Sequence, residues 1–157
     1  MHTHRRTGRT PIRRLLSTDN TPTTTKFDNI FSLRSVRRGA ILITFDDGYR
    51  NFLEHAWPLL QLYGFSATVY LVADEIGRHN RWDQAAGEVI PLLSWREIKQ
   101  LQAEGVSCGS HSATHRSLSS LRPQEVVREL RRSKAVLEQG LGTAVRSFAY
   151  PTAPSTG

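Results

Sequence analysis

Parallel β-strands alternating with α-helices, in a single α/β domain beginning near Gly39, are what this sequence predicts. Three observations carry the prediction. Apolar, β-branched runs stand at residues 41–45 and 67–72, as in strands covered on both faces. Segments of helical period, each with its own start or stop residue, separate the strand signals. Side chains able to do chemistry fall just after the first and third strands, the carboxyl ends where α/β folds collect their sites. The 157 residues suit one domain with a real core and are too few for two comfortable ones.

Ile41-Leu42-Ile43-Thr44-Phe45 is the first strand. Past Gly48, the residues Phe52, Ala56, Leu59, Leu60 and Tyr63 share one helical stripe and Gly64 supplies a stop. Pro58 interrupts that stretch, so the helix is either kinked or starts later. Ala67-Thr68-Val69-Tyr70-Leu71-Val72 is the second strand. Residues 74–93 form a long connection containing Gly77, Arg78, Asn80, Trp82, Asp83 and Gly87, a length usually found in functional or mobile loops. Ser94 and Glu97 then fit a capping box, opening a helix whose Trp95, Ile98 and Leu101 face inward and which ends at Gly105. Val106-Ser107-Cys108 is a short third strand. Pro123 opens another helix where its missing N–H costs nothing, with Val126, Val127, Leu130 and Leu137 on its apolar side and Gly140 or Gly142 closing it. Residues 145–150 form a fourth strand. This order implies right-handed crossovers and a parallel sheet. No internal repeat is present.

The net charge of +7 resembles a nucleic-acid signal until it is located. Residues 1–38 hold nine Lys/Arg against Asp19 and Asp28, while residues 39–157 hold twelve basic and twelve acidic side chains. The basicity belongs to a Thr- and Arg-rich tail without apolar periodicity, which reads as disordered. Such a tail is either a solvated extension or an anchor for phosphates or anionic lipid; the neutral domain argues against a nucleic-acid partner. No segment reads as a transmembrane helix, and Arg13-Arg14-Leu15-Leu16 is too short an apolar stretch for an export signal. Cys108 is the only cysteine, which excludes an internal disulfide and suits a small buried strand residue. Nothing in the sequence sets the oligomeric state or the compartment.

Asp46 and Asp47, in Thr44-Phe45-Asp46-Asp47-Gly48, and His111 and His115, in His111-Ser112-Ala113-Thr114-His115, are the candidate site. Asp-Gly is by itself a common turn pair. Two histidines at i,i+4 meet on one face of a helical turn, with or without a metal. Placed together at equivalent ends of parallel strands, the four side chains are equipped to hold a divalent metal and leave one carboxylate free as a base. That is the equipment for hydrolysing an unreactive bond such as an amide.

From Gly39 to Pro151 these segments resemble the polysaccharide deacetylases with a NodB homology domain, carbohydrate esterase family 4. Residues 41–49 match the first family motif, residues 111–115 the second, and Arg146-Ser147-Phe148-Ala149-Tyr150-Pro151 the start of the third. Asn80-Arg81-Trp82-Asp83 and Leu93-Ser94-Trp95 resemble the bacterial branch. The resemblance implies a partial, distorted (β/α) barrel over residues 39–157 and an N-acetylated glycan as substrate. It implies that Asp46 is the general base and that Asp47, His111 and His115 bind the metal, zinc suiting two imidazoles and a carboxylate best. It places Pro151 and the backbone N–H of Thr152 at the oxyanion.

The third motif departs from most relatives by carrying Ala149 where they have arginine, a Phe-Ala-Tyr-Pro variant typical of enzymes acting on poly-N-acetylglucosamine-like polymers. After Pro151 the sequence no longer resembles the family, and His2, His4, His55 and His79 do not match its general-acid motif. The chain therefore reads as a C-terminally truncated deacetylase domain, either a metal-dependent N-deacetylase or an inactive remnant that binds metal or glycan without turnover. Relatives act on envelope or secreted glycans.

Overall fold

A computed structural model describes residues 41–86 and 89–151. The tail expected over residues 1–38 lies outside them. Among the described residues, three parallel strands form the sheet in the order β1 (Thr44–Phe45), β2 (Thr68–Leu71) and β3 (Ser107–Ser110). Thr44 pairs with Thr68 on one side of β2, and Thr68 through Leu71 pair with Ser107 through Ser110 on the other. β2 is central and buried at every position, as the unbroken apolar run predicts for a strand in a covered parallel sheet. Three α-helices alternate with these strands: α1 (Trp57–Leu62), α2 (Trp95–Ala103) and α3 (Pro123–Leu141). The α/β class and the partial-barrel architecture are as expected. No helix among the described residues is long and apolar enough to cross a membrane.

The core gathers Phe52, Trp57, Val69, Leu71, Leu93, Ile98, Leu101 and Leu137, all nearly inaccessible to water. Each such side chain contributes about 1.5–3 kcal/mol through burial. Its local supports are legible in the residues. The Ser94 hydroxyl accepts the Glu97 N–H, and Glu97 accepts the Ser94 N–H at 2.8 Å, closing the capping box on α2. Gly142, with φ of 68°, ends α3 in the left-handed conformation and donates its N–H to the Glu138 carbonyl. Of the two glycines weighed for that stop, Gly140 lies within the helix instead, under the Trp95 indole, where a Cβ has no room.

Four expectations are corrected. The strand at residues 41–45 pairs within the sheet only over Thr44–Phe45, and Ile41 is 46% exposed, so it is less covered than its composition suggests. The stripe Phe52, Ala56, Leu59, Leu60, Tyr63 breaks at Pro58. Residues Phe52–Ala56 widen into a π-helical turn, with the Trp57 N–H reaching back to the Phe52 carbonyl, ahead of a proline that lacks an N–H and crowds the carbonyl four residues earlier. The extra residue rotates the next turn of helix by about 100°, so Trp57 is buried while Leu59 and Tyr63 are exposed.

On α3 the buried line is Ser133, Leu137 and Leu141, and of the expected Val126, Val127, Leu130 and Leu137 only the last belongs to it. Val127 and Leu130 are exposed, and Val126 and Leu130 line an apolar trough of about 640 Å³ with Leu118, Phe148 and Tyr150. The fourth strand shrinks to a single parallel bridge between Ser110 and Phe148, held by Ser110 N–H to Ser147 carbonyl and Ala149 N–H to Ser110 carbonyl, both 3.0 Å. β3 ends at Ser110, and no further bridge to residues 149–150 is present among the described residues.

Cys108 is partly buried on β3, as its neighbours predict. Removal from water pushes its thiol up to about 12, with only slight relief from Lys99. Against an ordinary cysteine near pKa ~8.5, its thiolate fraction at pH 8 is lower by about a thousandfold. A thiol-modifying disulfide reagent should therefore label the folded protein far more slowly than free cysteine, and equal rates would contradict this placement.

Candidate active site

β1 ends at Phe45, and the chain then turns sharply. Asp47 and Gly48 both have positive φ, 70° and 74°, and the Gly48 N–H donates to the Asp46 carbonyl at 2.9 Å. A Cβ on Gly48 would sit 2.8 Å from the Leu71 side chain, so glycine serves both the conformation and the close approach to β2. Asp47 tolerates the left-handed region better than most residues do. The Asp-Gly turn and the chemical site are thus the same feature. Asp46 is exposed and Asp47 is partly buried.

His111 leaves β3 with its N–H on the Leu71 carbonyl at 2.9 Å. The two histidines do not lie on a helical turn. Ser112 and His115 both adopt positive φ, 66° and 61°, and the Ser112 hydroxyl accepts the His115 N–H at 3.0 Å. This tight loop brings the two rings to 5.1 Å between centroids. Left-handed non-glycine residues of this kind each cost about 1–3 kcal/mol and cluster at functional sites.

The turn after β1 and the loop after β3 meet. His111 Nε2 is 3.2 Å and His115 Nε2 is 2.9 Å from Asp47 Oδ1, and the three ligand atoms lie within 4.8 Å of one another. Asp47 Oδ1 is buried, yet neither imidazole meets it with hydrogen-bonding geometry. A buried anionic oxygen without an aligned donor, facing two ring nitrogens, fits a cation shared by all three. Burial raises the Asp47 pKa, but the hydrogen bonding and positive charge that His111 and His115 supply when protonated outweigh it and hold the carboxyl well below the usual carboxylate range. His111 Nδ1 lies 3.0 Å from the Ala149 carbonyl, which can only accept, so Nδ1 carries the proton and Nε2 is the atom turned to Asp47.

An aromatic wall closes one side of this cluster. Trp82 stacks on His115 with centroids 4.1 Å apart and planes at 20°. Tyr49 donates its hydroxyl to Asp83 Oδ2 at 2.8 Å, and burial together with that carboxylate raises the Tyr49 pKa. The described residues of the connection over 74–93 are therefore folded against the site, with Leu92 bridged to Tyr49 and Pro91 to His79. Trp82, Asp83 and the Ala149 carbonyl have no role that residue spacing reveals. The only signal that points to them is their place in two motifs, Asn80-Arg81-Trp82-Asp83 and Arg146-Ser147-Phe148-Ala149-Tyr150-Pro151. Pro151 is buried, two residues beyond that carbonyl; Thr152 lies outside the described residues.

The family profile described as polysaccharide deacetylase aligns with residues 34–156, and the chain belongs to that family. YxkH of Bacillus subtilis (strain 168), a putative polysaccharide deacetylase by name, is 30% identical over 111 residues, covering 71% of this chain and 36% of its own length. The poly-beta-1,6-N-acetyl-D-glucosamine N-deacetylase of Staphylococcus aureus (strain MRSA252) is 22% identical over 121 residues, covering 71% of this chain and 40% of its own. Among solved structures, BC0361, a polysaccharide deacetylase from Bacillus cereus, is 31% identical with a TM-score of 0.67, over 90% of this chain and 41% of that one. The chain thus spans less than half the length of each.

Proposed function

We propose that the chain carries the catalytic half-site of a metal-dependent hydrolase that removes N-acetyl groups from an N-acetylglucosamine polysaccharide. The observation that carries this reading is the convergence of Asp47 Oδ1 with the Nε2 atoms of His111 and His115, beside a second carboxylate on Asp46. Two neutral imidazoles and one carboxylate are a ligand set suited to catalytic zinc, which leaves further positions open. Held by Asp47, His111 and His115, a divalent cation would polarise the acetyl carbonyl and acidify the attacking water.

The chain's own groups do the rest. Asp46 takes the proton from the attacking water as general base. Asp47, kept ionised by its neighbours, supplies the anionic ligand. The Ala149 carbonyl fixes the His111 tautomer, and Trp82 limits the tilt of the His115 ring. Attack at the acetyl carbon breaks its bond to nitrogen, and the proton held by Asp46 passes to that nitrogen, giving acetate and a free sugar amine. The backbone N–H after Pro151, that of Thr152, is the proposed donor to the developing oxyanion. The substrate class rests on the Phe148-Ala149-Tyr150-Pro151 variant of the third motif and on the activity in the name of the Staphylococcus relative.

Acetate release from poly-β-1,6-N-acetylglucosamine oligomers and from chitooligosaccharides, with the protein loaded with zinc, tests the proposal. Chelator-sensitive release is the expected result. A zinc-loaded, folded protein that frees no acetate from either would reject turnover and leave a non-catalytic metal- or glycan-binding domain.

A further inference from the structure

The loop from His111 to His115 contains two left-handed residues and bears both imidazoles, so something outside it must hold its shape. One side is held by the 3₁₀ turn that follows β2: the Ala73 N–H donates to the Ser112 carbonyl at 3.1 Å and the Asp74 N–H to the Ala113 carbonyl at 3.0 Å. The other side is held by α3. Glu129 Oε2 accepts the N–H groups of Ala113 and Thr114, both at 3.0 Å, and Glu129 Oε1 accepts the Thr114 hydroxyl at 2.9 Å. One helical turn later the Ser133 hydroxyl shares a 2.6 Å hydrogen bond with Ser110, the residue before His111. Arg132 of the same helix donates its Nε to the Asp74 carboxylate at 2.8 and 2.9 Å, tying the two sides together.

The geometry points to Glu129 as a positioning residue: a carboxylate that touches neither imidazole but sets the conformation of the loop presenting both. This rests on the reading of Asp47, His111 and His115 as metal ligands. Hydrogen bonds from backbone N–H groups to a carboxylate are stronger than neutral ones. Here three hydrogen bonds converge on the segment between two strained residues. Without them Ser112 and His115 are free to relax toward ordinary backbone angles. The two Nε2 atoms then no longer share one point with Asp47, and metal binding must first reorder the loop.

Zinc affinity by competition with a chromophoric chelator, paired with amide hydrogen exchange on the metal-free protein, tests this. Glu129→Ala is expected to weaken zinc binding by about 10–100-fold, the usual effect of losing an outer support, and to speed exchange at the amides of Ala113 and Thr114. Glu129→Gln can still offer its oxygen to the two amides and its NH₂ group to the Thr114 hydroxyl, so it should restore most of the affinity. A purely structural role would lower the melting temperature of Glu129→Ala without moving the zinc affinity, and parent-like affinity in that variant overturns the inference. If Glu129→Ala does not fold, Thr114→Val, which removes one of the three bonds, takes its place: weaker zinc binding supports the assignment and unchanged binding rejects it. A parent protein that takes up no zinc overturns the metal reading itself, and this inference with it. Zinc uptake by the parent with no effect of these substitutions overturns this inference alone.

Discussion

Asp47→Asn should abolish zinc loading at the proposed site while leaving the fold intact. The substitution keeps the shape of the side chain, and asparagine, like aspartate, tolerates the left-handed backbone found at position 47. What it removes is the negative charge that faces the two imidazoles. If a structural zinc site is worth about 10–16 kcal/mol over four ligands, one ligand accounts for about 2.5–4 kcal/mol, or a 10²–10³-fold loss of affinity. His115→Ala should produce a loss of the same order by a different route, since it deletes a ring that also stacks on Trp82. Metal content after dialysis, measured by elemental analysis alongside a circular dichroism spectrum, checks both. Zinc retained at parent stoichiometry in a folded Asp47→Asn variant would mean that the cluster is not the metal site.

Asp46→Asn should do the opposite, keeping the zinc and losing the turnover. Asp46 opens the turn, its carbonyl accepting the Gly48 N–H, and its exposed side chain belongs to no ligand cluster among the described residues. A general base contributes about 10²–10⁴-fold to a rate, and an amide side chain cannot take the water proton. Acetate release by the zinc-loaded variant should fall by that factor at unchanged zinc content. Undiminished release would remove Asp46 from the mechanism and leave the metal ligands untouched. The two substitutions at adjacent positions thus separate binding from chemistry.

The two halves of the site differ in how far residues alone reveal them. Asp46-Asp47-Gly48 is readable because a strand end, a turn and a carboxylate pair coincide within five residues. The histidine pair is readable as a pair, but a helical turn is not what joins the rings. Glu129 leaves no local signal at all. It lies 14 positions beyond His115 on a helix, where a glutamate ordinarily reads as solvated surface, and only packing puts it against the loop. The misplaced stripes have the same origin. Periodicity assumes a regular helix, and Pro58 breaks that assumption by forcing a π turn, just as the end of β3 at Ser110 leaves residues 145–150 with one bridge instead of a ladder.

By itself, then, the amino-acid order determined the α/β class, the capping box at Ser94, the buried run of β2 and which four side chains are the candidates for the chemistry. These depend on interactions within a few residues, which local spacing encodes. Only the tertiary structure decided which faces of α1 and α3 are buried, that Trp82 stacks on His115, and that α3 and the 3₁₀ turn after β2 grip the histidine loop between them. Those outcomes depend on contacts between segments far apart in the chain, where the position of one backbone sets what another side chain can reach.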